Sequence, residues 1–138
     1  MTDPDKIAYQ FLKQSGTPLY SLVGLRIDYA LAPVGFTNNV ARLVYRPEGG
    51  NEGMWNSPVI ERSYLMECYG GDSAADGWNG AKAVYGALHD LWHDANGVTL
   101  ASGTLMSGYV EQVGVPLVHP ISKLKYIVAR FGGKFKGA

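Results

Sequence analysis

The chain has 138 residues, with 12 basic and 12 acidic side chains and a formal net charge of zero. That length fits one domain, spanning residues 1–138, with a core large enough to need no disulfide or metal staple. A 46% apolar and 17% charged composition argues against disorder, and zero net charge argues against a general nucleic-acid binder.

Residues 2–16 read as a short helix. Thr2 or Asp3 can cap it, Pro4 suits the first turn, and Ile7, Ala8, Phe11 and Leu12 recur at helical spacing before Gly16. A further turn is expected from Leu19 to Val23, closed by Gly24, and then a short strand from Arg26 to Tyr29 leads into a loop around Pro33 and Gly35. Val40 to Tyr45 is a β-prone run with Val40, Leu43 and Val44 as core candidates. Pro47 to Pro58 (PEGGNEGMWNSP) reads as a hairpin connection or a mobile loop. Met54 and Trp55 within it either tuck back onto the core or meet another subunit.

Val59 to Tyr69 alternates as a strand, with Ile60, Arg62, Tyr64, Met66 and Cys68 on the core side. Cys68 is the single cysteine, so no internal disulfide forms, which suggests a reducing compartment or indifference to redox state. The longest helix is expected from Ser73 to about Ala95, with Ser73 and Asp76 at capping-box spacing. Trp78, Ala81, Tyr85, Leu88 and Trp92 form its buried stripe, and Asn96-Gly97 its stop. Strands are expected at Val98 to Ala101, Thr104 to Val113 and Ile121 to Phe131. The two prolines of GVPLVHPIS disfavour a regular central strand between the last two. The glycine-rich cationic end, residues 132–138, reads as a flexible tail. This order predicts an α+β fold: a mostly antiparallel sheet packed by one long helix and a short N-terminal helix. No apolar run approaches the ~18–20 residues of a membrane span, and MTDPDK lacks the features of a secretory signal.

The zero net charge hides a gradient. Residues 1–66 balance six bases against six acids, residues 67–111 hold six acids and one base, and residues 112–138 hold five bases and no acid. Such asymmetry suggests interaction surfaces, and neutralisation across one fold explains it equally well. The bases are Lys123, Lys125, Arg130, Lys134 and Lys136. They fit either sequence-blind phosphate contacts or docking onto an acidic protein surface, an identical neighbour included.

Catalytic signatures are sparse. His89 and His93 sit four apart on a helical face, as two metal ligands would, and Asp90 follows the first. The acid is one methylene shorter than the Glu of an HExxH zincin, and His119 is the sole downstream candidate for a third ligand. Histidines facing solvent near a helix C-terminus account for the pair without a metal. No nucleophile elbow, P-loop or dinucleotide fingerprint occurs, so no catalytic residue, cofactor or metal is assigned.

Five segments together resemble a known family. They are Leu22-Val23-Gly24-Leu25-Arg26-Ile27, Ala32-Pro33 with the strand ending at Tyr45, and the strand Tyr64 to Tyr69. Gly80-Ala81-Lys82-Ala83-Val84 with Leu88 and the closing Tyr126 to Phe131 strand complete the set. In this order they resemble the small tail-completion, or tail-terminator, proteins of long-tailed (siphovirus-type) bacteriophages, prophages and gene transfer agents. The resemblance spans roughly residues 8–131; the Pro47–Pro58 segment and the basic end depart from it. It implies a non-enzymatic virion protein, a homo-hexameric ring at the head-proximal end of the tail. Such a ring stops the tube protein below, meets a neck or head-completion protein above, and lets DNA pass through its lumen without sequence-specific binding. On that reading Met54, Trp55, Lys123, Lys125, Arg130, Lys134 and Lys136 are subunit or partner contacts. Glu67, Asp72 and Asp76 then face the lumen, where acids would repel phosphates. A neck connector ring and, more distantly, a small histidine-based metal hydrolase are the alternatives.

Overall fold

Local capping chemistry starts the fold. The computed structural model describes residues 2–29, 41–51, 58–71, 77–118 and 124–138. Helix α1, Pro4–Leu12, begins where the Asp3 carboxylate accepts from the Lys6 N–H at 3.2 Å, and it buries Ile7, Ala8, Phe11 and Leu12. Helix α2, Pro18–Val23, is capped by the Thr17 hydroxyl and ends at Gly24 (φ 57°), whose N–H donates to the Tyr20 carbonyl. The Arg26 guanidinium then donates to the Leu22 carbonyl (3.0 Å) and the Ala41 carbonyl (2.8 Å). One side chain thereby satisfies an orphan carbonyl of α2 and holds the helix end to the chain entering β2. This explains the Leu-Val-Gly-Leu-Arg-Ile run physically: Val23 and Ile27 enter the core, Gly24 turns and Arg26 fastens.

Six strands among the described residues form one sheet: β1 (Ile27–Tyr29), β2 (Arg42–Asn51), β3 (Val59–Tyr69), β4 (Asn96–Leu100), β5 (Gly103–Val118) and β6 (Lys125–Gly137), in the order β1-β2-β3-β6-β5-β4. Only β1 and β2 run parallel; the other neighbours are antiparallel. The mixed α/β architecture and the mostly antiparallel sheet match the sequence reading. Helix α3, Gly77–His93, is the longest of the three described helices. Its expected start, including Ser73 and Asp76, lies outside the described residues, and its end falls at His93 rather than Ala95. Asn96-Gly97 accordingly opens β4 instead of closing the helix.

The helices share one face of the sheet with the principal core. Val84, Leu88 and Trp92 of α3 and Ile7, Phe11 and Leu12 of α1 meet Leu43, Tyr45, Tyr64, Met66, Cys68, Phe131 and Phe135. Trp92 is fully buried. Its indole N–H donates to the Gly132 carbonyl at 2.8 Å, and Phe11 meets it edge-on with ring centroids 5.5 Å apart. Asp5 fastens α1 to the sheet by accepting from the Tyr29 and Tyr64 hydroxyls at 2.8 Å each, with Arg62 Nε 3.7 Å away. Burial first, and that hydrogen bond second, push the Tyr64 hydroxyl pKa up and raise Tyr29 to about 12. Cys68 is buried as expected, and burial likewise pushes its thiol up. Of the core candidates on the second strand, Leu43 and Val44 are buried, Val44 on the opposite face with Tyr69, Leu124 and Tyr126, and Val40 lies outside the described residues.

Three segments differ from the sequence reading. Pro47 to Asn51 continues β2, pairing Pro47 with Tyr64 and Asn51 with Glu61, with a register shift between Pro47 and Gly49. Residues 52–57, which include Met54 and Trp55, lie outside the described residues. The second correction concerns Gly114 to Val118, which extends β5 instead of leaving the sheet. Pro116 is tolerated because β4 covers β5 only as far as Ser107, so among the described residues no strand needs an N–H from it on that side.

The third correction is the largest. Gly132 to Gly137 is not a flexible tail but the continuation of β6, central in the sheet between β3 and β5. Phe135 is fully buried there and Gly132 is required: a Cβ would meet Tyr109 Cε2 at 2.3 Å and Glu111 Oε1 at 2.2 Å.

Candidate functional site

The sequence-predicted site residues do not converge on one place. Met54, Trp55, Asp72, Asp76, His119 and Lys123 lie outside the described residues. Lys125 places its ammonium 5.8 Å from the centre of the Trp78 ring. Arg130 reaches Glu48 at 3.9 Å, Lys134 reaches Glu61 at 3.8 Å, and Lys136 is exposed on β6. Glu67 faces Arg46 at 3.8 Å and accepts from the Tyr69 hydroxyl at 3.1 Å. Two of the C-terminal bases therefore neutralise acids from the front of the same chain. These are partly exposed pairs worth about 0–1 kcal/mol each.

His89 and His93 stack with ring centroids 5.4 Å apart and planes 9° apart. Each Nδ1 faces the carboxylate of the residue that follows it, Asp90 at 3.4 Å and Asp94 at 3.1 Å. Among the described residues no group of three or more His, Cys, Asp or Glu side chains is placed to hold a metal ion.

A different feature stands out from the residues upward. From Tyr109 onward β5 has β6 on one side and no described strand on the other. Register shifts between Val110 and Gln112 and between Gln112 and Val115 bend this half, and the Tyr85 hydroxyl of α3 accepts from the Gly114 N–H at 2.9 Å. Val113 (68% exposed), Val115, Leu117 and Val118 project from it into solvent. No charged residue occurs from Gln112 to Val118. Unprotected apolar edges of this kind mark association surfaces. At the opposite end of the sheet, Leu25 (66% exposed) and Tyr29 flank the β1 edge.

Sequence reasoning missed the β5 edge although a period-2 signal, Val113, Val115 and Leu117, was present. Gly114 and Pro116 between those residues made the run look like a loop.

Fold and edge together define a class: a one-layer, mostly antiparallel sheet with helices on one face and, among the described residues, an exposed apolar strand edge. No protein-family model matches the sequence, and no curated protein matches it. Among solved structures the fold is similar to a chain in the virion of a native gene transfer agent particle. The TM-score is 0.63 at 18% identity, covering 94% of this chain and 91% of that one. No described helix is long and apolar enough to cross a membrane.

Proposed function

We propose that this chain is a structural protein of a phage-like particle, of the tail-completion type. It forms a homo-hexameric ring on the head-proximal end of the tail, ends the tube below, meets a neck or head-completion protein above, and leaves a lumen for DNA. The observation that carries this reading is a fold shared, over nearly the whole length of both chains, with a component of a gene transfer agent virion. The sequence resemblance supports it independently. Its most specific run, Leu22 to Ile27, builds the helix-to-strand step that Arg26 fastens in this fold. The open β5 edge supplies what a ring subunit needs and what an isolated catalyst does not: apolar surface presented along a strand. Glu67 is offered as a lumen acid together with Asp72 and Asp76. Met54, Trp55 and the bases Lys123, Lys125, Arg130, Lys134 and Lys136 are offered as contacts with the tube, the neck or the next subunit.

Controlled disassembly of the particle tests this. A terminator stays with the tail when head and tail part, and antibody against the chain then decorates one tail end. A chain that leaves with the head is a neck connector instead, and one found in neither fraction is not a particle component.

A further inference from the structure

We infer that the open half of β5, Tyr109–Val118, is the surface by which one copy of this chain docks onto the next. Its counterpart is the opposite sheet edge around Leu25 and Tyr29. Of the eight exposed large apolar side chains among the described residues, four lie on the open half of β5 and two at the β1 edge, so most of this exposed apolar surface is gathered at the two ends of one sheet. A contact between two different patches is heterologous, and it generates a ring where the rotation it imposes closes. Charge allows the match. Residues Gln112 to Val118 carry no charge, while at the other edge Asp28 is engaged by Arg42 and Arg26 by two backbone carbonyls. Glu111, at the start of this half, accepts from the Ser63 hydroxyl at 2.5 Å, so along Gln112–Val118 neither edge sets an unpaired charge against the other.

The presence of two exposed apolar edges on one chain points to a second copy as the occupant, and the size of the edge to several such contacts acting together. Ten residues of strand span about 33 Å and a sheet is about 10 Å thick, so the edge offers on the order of 330 Å² per partner. A stable two-body interface buries about 800 Å² per partner. One such contact is weak, but a ring gives every subunit two of them, and a template that holds the subunits side by side raises their effective concentration. Pro116, which lacks an N–H, and the register shifts on β5 interrupt any continuous hydrogen-bond ladder. The contact is thus carried by Val113, Val115, Leu117 and Val118 side chains, and open-ended sheet growth is disfavoured.

This inference rests on the ring reading for the number of copies, and the test separates the two. A Val115→Lys/Leu117→Lys variant should unfold at the wild-type temperature, because both sites are exposed, yet its self-association by sedimentation should weaken by ~10-fold or more. In a second arm, Leu25→Cys/Val115→Cys protein treated with a bismaleimide should give a covalent ladder beyond dimer, on tail tubes or in concentrated solution. Val115→Cys alone should give no cross-link, and buried Cys68 stays silent. Efficient dimers from Val115→Cys alone would mean that β5 pairs with β5, which overturns the inference. So would unchanged association of the lysine variant, or a wild-type chain that is monomeric at every concentration and on tubes. Tube capping that survives the lysine pair rejects the edge contact while leaving the tail reading intact. Loss of association in a chain that never caps tubes does the reverse.

Discussion

The two halves of β5 are the most instructive comparison in the molecule. From Gly103 to Gly108 the strand lies between β4 and β6, and Leu105 is fully buried beneath the helices. From Tyr109 to Val118 the same strand keeps β6 but has no other described strand beside it; Val110 still packs against the core, while Val113, Val115, Leu117 and Val118 face water. Leu105 in the first half stabilises the fold. The exposed residues in the second add little to it and remain available for contact. Apolar character alone therefore does not mark core; what the neighbouring strand and helices cover does.

That contrast can be broken by substitutions graded from the core outward. Trp92→Ala should have the largest effect, removing the ring contacts with Phe11, Tyr64 and Phe131 and the hydrogen bond to Gly132. Denaturant unfolding should show a loss of about 3–5 kcal/mol, a large share of the total for a domain of this size. Asp5→Ala should cost about 1–3 kcal/mol, because buried Tyr64 loses its hydroxyl partner. Adding Tyr64→Phe to it should recover part of that loss, whereas adding Tyr29→Phe should recover less, since Tyr29 reaches solvent.

The raised tyrosines make a milder prediction about pH. Tyr29 holds its proton to about 12 when folded, mainly through burial, while an unfolded tyrosine releases it near the ordinary 10.0. Above pH 10 the unfolded state thus binds fewer protons, so stability contributed by this group is complete below pH 10 and declines as pH rises through 12. Buried Tyr45 and Tyr64 act in the same direction. Unfolding temperature should be insensitive to these groups from pH 6 to 9 and fall above 10; a flat profile to pH 12 would contradict the buried hydroxyls. Val115→Lys/Leu117→Lys should change stability by no more than about 0.5 kcal/mol, in contrast to any charge placed at Leu105. His89→Ala/His93→Ala should do as little and should leave tube capping intact. Loss of function without loss of stability in that pair would favour the metal-hydrolase alternative.

Much of the fold was legible because local chemistry and tertiary placement agree. Asp3 caps, Ile7 to Leu12 repeat at helical spacing, Gly24 turns, and Tyr64, Met66 and Cys68 alternate with the solvent side of β3. The C-terminal strand was not legible, because Gly-Gly-Lys-Phe-Lys-Gly has the composition of a linker. Its order comes from the ladders with β3 and β5 on either side, and from Tyr109, which fills the space a side chain at 132 would have taken. Of the candidate contact surface, the basic residues were visible as a charge run. Their pairing of Arg130 with Glu48 and Lys134 with Glu61 depends on a register that charge counting does not contain. The β5 edge was hidden for a similar reason: whether Val113 and Leu117 meet core or water depends on where β4 stops.

Whether this chain ends a tail tube as a ring of identical subunits can be read from mass. The chain is added to tail-tube protein during polymerisation, and capped tubes are isolated, dissociated gently and weighed by native mass spectrometry. Tubes should stop growing, each carrying one assembly of six copies at a single end. Tubes that grow to the same lengths with and without the chain, or chain recovered only as free monomer, would contradict it.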